Sequence, residues 1–141
     1  MLEWAAAAMS PDPQGLALAA AAEFGVADAA QVQAIATRIL ASADCAHFFD
    51  AAALDWAGNE VPVAGVGAQA GELLRIDRLV CTAGSDPTWW VLDYKQGSTP
   101  QHNPAYRDQL AAYRRAVQAL QPGEPVRAAF INASGELLEL P

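Results

Sequence analysis

Cysteine is nearly missing from this chain. Of 141 residues only Cys45 and Cys81 carry thiols, far apart and without a CxxC spacing, which excludes a disulfide framework and a zinc knuckle. Both are expected to be buried thiols. Adding His47 and His102 does not rescue a zinc set, because their spacing matches none. No apolar run is long enough to span a bilayer. A basic n-region is also lacking at the start, where Glu3 precedes the run of alanines at 5–8, so the sequence predicts no signal peptide, no membrane partner and a cytoplasmic address. Basic residues are scarce: 8 Lys and Arg stand against 16 Asp and Glu, for a net charge of -8. That balance argues against a free-standing polyanion binder working through a basic face. A GxxxxGK[ST] phosphate loop is absent too, and with it a nucleotide-driven motor within this sequence.

What is present is a hydrophobic fraction of 53%, much of it alanine, as expected of a globular protein with closely packed helices. The length suits one domain. Charge is unevenly placed. Residues 1–72 hold one basic residue, Arg38, and nine acidic ones, whereas residues 73–141 hold seven of each.

The apolar spacing predicts helices at residues 2–9, 14–24 and 28–43, the last capped by Asp28 with Val32, Ile35, Ala36, Ile39 and Leu40 on one face. A short helical turn follows near residues 46–54. Strands are expected at 60–65 (EVPVAG), 72–82 (ELLRIDRLVCT) and 89–95, the last two separated by the turn residues Gly84, Ser85, Asp86 and Pro87. Asn103 and Pro104 open a helix to about Leu120 with the stripe Tyr106, Leu110, Tyr113, Val117 and Leu120. Strands at 126–132 and 136–140 close the chain. The predicted class is α/β: a mixed sheet of about five strands flanked by helices, with residues 1–56 helical and 57–141 forming the sheet core with the helix over 103–120.

The stretch 89–97, WWVLDYKQG, is the most informative. An apolar strand carries Asp93 and Lys95 two residues apart, and burying ionised groups is costly unless they are paired or bound to a metal. A hairpin symmetric about Ser85 sets Asp77 opposite Asp93, and strand alternation puts Lys95 on their face. Like charges directly opposed are destabilising, so something cationic must compensate. Two close carboxylates make a hard-oxygen site of the kind that holds Mg²⁺ or Mn²⁺. Lys95 can then polarise a water or steady a phosphoryl oxyanion. That set of parts serves metal-assisted phosphodiester hydrolysis.

RIDRLV at 75–80, VLDYK at 91–95 and YRDQLAAYRRA at 106–116 together resemble the PD-(D/E)XK nuclease domains of the RecB/AddA type, found at the C-terminal end of UvrD-like helicase-nucleases. The resemblance covers most of residues 60–140. It implies a restriction-endonuclease-like core, a DNA substrate, a Mg²⁺ or Mn²⁺ cofactor and a UvrD-like helicase portion or subunit as partner, in DNA end processing, recombination and repair. It also implies Asp77 and Asp93 as metal ligands with the Tyr94 carbonyl as a third, Lys95 as the catalytic lysine, and Gln109 and Tyr113 as the Q-x-x-x-Y element beside the site. Glu60 corresponds to a glutamate the family commonly carries ahead of its first strand. Two departures stand out. The family's upstream histidine ligand would precede LEWAAA, just before this sequence starts, and DYKTG reads DYKQG here, with Gln96 for threonine.

Blander readings remain open beside these. Asp77 could pair with Arg75 or Arg78, and Asp93 with Lys95, as a structural cluster without metal. Arg78, Arg107, Arg114 and Arg115 could contact a DNA backbone or only solvate a surface. The whole could be a non-catalytic remnant serving as a docking or DNA-threading module.

Overall fold

The sheet is built around a hairpin of two long strands. A computed structural model describes residues 13–25 and 28–141; the helix expected at 2–9 lies outside them. The order is α1 (Pro13–Ala22), α2 (Ala29–Ala41), short 3-10 turns at Ala46–Phe49 and Ala51–Ala53, β1 (Leu54–Ala64), β2 (Leu73–Thr82), β3 (Trp89–Tyr94), α3 (Pro104–Leu120), β4 (Val126–Ile131) and β5 (Leu137–Glu139). The five strands lie in sequence order. All neighbours are antiparallel except β3 and β4, which run parallel because α3 carries the chain across between them. This is a mixed α/β sheet, as the sequence predicts. α3 begins where Asn103 Oδ1 accepts from the amides of Ala105 and Tyr106 and Pro104 enters the first turn.

Every residue of β3 is buried, because helices cover both faces of the sheet. Trp90, Leu92 and Tyr94 join Val80, Ala129 and Ile131 against the α1 and α2 side, with Phe24, Ile39, Phe48 and Phe49. Trp89 and Val91 join Leu79, Ala128 and Phe130 against α3, through Leu110, Tyr113 and Val117. The adjacent tryptophans therefore serve different cores, Trp90 beside Phe48 and Trp89 beside Trp56. Both cysteines are free and buried.

Two expectations change. β1 begins at Leu54, six residues ahead of the predicted strand, pairing with β2 from Leu54 onward. Tyr106 leaves the core stripe of α3 and is 37% exposed, while Ala112 and Ala116 take buried places.

The hairpin bends where the site forms. Trp56, packed with the α3-side core, precedes Glu60, and Val61 and Val63 follow it on the same side, so the alternation slips by one at Glu60, whose φ is +50°. β2 slips likewise, contributing Ile76, Leu79 and Cys81 to that core. A one-residue slip re-aims side chains, as at a bulge. Asp77 and Arg78 occupy the slip.

The β4–β5 turn offers a test of packing. Gly135 has φ +82°, and a Cβ there would meet the Arg38 carbonyl oxygen at 2.8 Å. Gly135→Ala is expected to cost about 2 kcal/mol, since it combines a left-handed backbone with a clash against backbone. A urea midpoint equal to wild type would contradict the close approach of α2 to this turn.

Candidate active site

Asp77 and Asp93 come together from neighbouring strands. The β2–β3 ladder pairs Arg78 with Leu92, Leu79 with Val91, Val80 with Trp90 and Cys81 with Trp89, the register that sets Asp77 against Asp93. At the Asp77 position a side chain replaces the ladder: Tyr94 N donates to Asp77 Oδ2 at 3.0 Å. The two carboxyls line the same cleft. Asp93 is 2% exposed. Burial, then the Asp77 carboxyl, push its pKa up to about 7, against the opposing pull of Lys95.

Lys95 follows directly. Its amide donates to Ile131 O, extending the parallel pairing past β3, and its Nζ lies 3.1 Å from Asp93 Oδ2. Geometry makes that an ion contact rather than a directed hydrogen bond, so Asp93 Oδ2 stays buried without a hydrogen-bond donor. Lys95 Nζ also donates to Gln109 Oε1 at 3.2 Å. Tyr113, one turn further along α3, lines the same cleft, and burial followed by Asp93 and Asp77 raises its pKa. Lys95 thus bridges Gln109 on α3 and Asp93 on β3. These residues line a cleft of about 450 Å³ together with Leu73, Arg75 and Glu23.

Glu23, just past the end of α1, is an addition that sequence reasoning missed. Its pKa is raised by partial burial first, then by Glu60 and Asp77. No local motif marks it, because only the packing of α1 beside the hairpin brings it near. Glu60 stands at the rim, exposed, with its carboxylate 3.8 Å from Arg75.

Arg78 is a correction. Expected as a possible DNA contact, it is 1% exposed. Its Nε and Nη2 donate to Phe48 O at 3.0 and 2.7 Å, Nη1 donates to Asn59 Oδ1 at 2.8 Å, and the guanidinium lies 4.8 Å from the Phe49 ring centre. The slip at Asp77 turns the neighbouring arginine into the α1–α2 core. Arg114 donates to the carbonyls of Leu140 and Pro141, and with Arg107 it lines a separate cleft over the end of β5, away from the aspartates. His47 stacks on Phe48 and does not line the aspartate cleft. Gln96, where the resemblance has threonine, donates from Nε2 to Phe24 O.

The donor set suits a hard divalent cation. Two carboxyls set against each other by the strand register in one cleft, one with a buried oxygen that finds no hydrogen-bond donor, are what such an ion would relieve. Among the described residues no group of three or more His, Cys, Asp or Glu side chains is arranged to hold a metal; the aspartates form a pair.

Residues 74–139 match the family model described as PD-(D/E)XK nuclease superfamily. The match takes in Asp77, Asp93, Lys95, Gln109 and Tyr113, and leaves Glu23 and Glu60 outside. The five-stranded α/β architecture is consistent with the restriction-endonuclease-like fold of that superfamily. No curated protein matches the chain. No described helix is long and apolar enough to cross a membrane.

Proposed function

We propose that this chain is a single nuclease domain of the RecB/AddA type that hydrolyses DNA phosphodiesters with Mg²⁺ or Mn²⁺, as part of a UvrD-like helicase-nuclease acting on DNA ends in recombination and repair. The observation that carries the reading is the convergence of Asp77, the buried Asp93 and Lys95 on one cleft, with Lys95 Nζ 3.1 Å from Asp93 Oδ2. Gln109 and Tyr113 facing that cleft from α3 favour the RecB/AddA subtype.

Hydrolysis needs water to attack phosphorus, the bond to one ester oxygen to break, and that oxygen to gain a proton. Asp77, Asp93 and the Tyr94 carbonyl are the proposed ligands of the metal. A divalent ion held there would offer Lewis-acid stabilisation of phosphoryl charge and a more acidic water. Lys95 contributes a fixed cation beside the charge that develops on the phosphoryl oxygens. Gln109 keeps its amine in place through the hydrogen bond from Nζ, and Tyr113 walls the cleft beside them.

Calorimetric titration with Mn²⁺ and a cleavage assay on single-stranded DNA test this together. Wild type is expected to give heat and cleavage, and Asp77→Asn neither. Lys95→Ala is expected to keep the heat but lose cleavage by on the order of 10²- to 10³-fold, the scale of removing one preorganised stabiliser. Absence of both heat and cleavage in wild type would overturn the reading. The pair-only ligand set favours one alternative, a non-catalytic remnant that docks or threads DNA. For that role Asp93→Ala should chiefly destabilise the protein and change no reaction rate.

A further inference from the structure

Few large hydrophobic side chains are exposed among the described residues. Among the described residues the two large ones are Leu73, 78% exposed, and Tyr106, 37% exposed. Leu73 lines the aspartate cleft. The Tyr106 ring centre is 4.7 Å from Lys95 Nζ, and the same ring walls an adjoining cleft of about 510 Å³ between the exit of β3 and the start of α3. Pro104 adds a second apolar wall, and Ser98, Thr99 and Asn103 supply polar edges. The loop that shapes this cleft is held: the Gln96 side chain bonds the Phe24 carbonyl, and Gly97 turns the chain at φ +91°. A flat aromatic wall with polar edges, next to a lysine placed for phosphate, is the form of a nucleobase site.

We infer that this cleft binds one unpaired nucleobase of the strand being cleaved, stacked on Tyr106 beside the phosphate held near Lys95. The inference rests on the proposed nuclease reading and adds to it a subsite for one base of the strand. A base inside a duplex has both faces covered by its neighbours, so only an unpaired or extruded base can offer a face to Tyr106. The lysine contact steadies the ring. Tyr106 lies at the surface, so its loss leaves the core intact.

The test is a cycle between protein and substrate, read by binding rather than turnover. Fluorescence anisotropy, with Ca²⁺ present, would compare an oligothymidylate with an abasic strand of equal length, for wild type, Tyr106→Phe and Tyr106→Ala. On the intact strand Tyr106→Ala is expected to raise Kd about tenfold, within the range of one base–aromatic stack, and Tyr106→Phe to change it little. On the abasic strand all three proteins should bind alike. Equal weakening on both strands would mean that Tyr106 acts only through Lys95, and it would overturn the inference. No weakening, or no binding by wild type, would overturn it as well. A protein that passes this cycle yet never cleaves would defeat the nuclease reading alone, and one that cleaves but shows no base dependence would defeat only the subsite.

Discussion

Replacing Asp93 by asparagine is expected to raise the melting temperature of the metal-free protein at pH 8 while reducing DNA cleavage by on the order of 10³-fold or more, as for loss of a principal electrostatic element of a site. The stability gain follows from linkage. Burial and Asp77 hold the Asp93 pKa up at about 7 in the folded protein, from an ordinary value of 3.8. A raised folded pKa means the native state keeps a proton that the unfolded chain has released. Stability from this group is therefore fully present below about pH 4 and is lost as pH rises through about 7. A shift of that size, already net of the Lys95 attraction, corresponds to at most about 4 kcal/mol, an upper bound that should appear as a rise of roughly 5–10 °C for the variant above pH 7. Below pH 4 the two proteins should melt together, because asparagine resembles the protonated acid. Adding Mn²⁺ should raise the wild-type melting temperature by mass action and leave the variant unmoved. Equal melting of the two metal-free proteins at pH 8 would show that the aspartates do not strain one another.

The second large effect falls outside the cleft. Arg78→Ala is expected to cost about 3–5 kcal/mol, since it opens a cavity beside Phe49 and strips the Phe48 carbonyl and the Asn59 side chain of their donors. Arg78→Lys should recover less than half, because one ammonium cannot serve both acceptors in the guanidinium geometry. Urea denaturation measures the loss. DNA affinity of the variant, taken at low temperature where it remains folded, should equal that of wild type. A drop in affinity without a drop in stability would restore the surface role that the sequence suggests for this arginine.

Much of the fold is legible from local signals. Turn residues at 84–87 between two β-branched and aromatic runs define the β2–β3 hairpin, and the register follows from its symmetry. Asn103 and Pro104 announce α3 in the same way, since a cap and a preset φ act within one helical turn. The first half of β1 is not legible. Asp55, Gly58 and Asn59 have turn propensities, and only pairing with β2 overrides them. Arg78 is misread for a related reason: strict alternation cannot reveal a slip whose cause lies in the partner strand, where Glu60 takes a positive φ.

By itself the sequence determined the facing aspartates, the lysine two residues beyond the second of them and the helix that carries Gln109 and Tyr113, because strand alternation, turn chemistry and helical spacing all act over short range. Only the tertiary structure decided that Arg78 turns inward, that Glu23 reaches the cleft from α1, and that Tyr106 stands exposed beside Lys95. Those placements depend on which faces meet when helices close over a twisted, bulged sheet. No single segment carries that information.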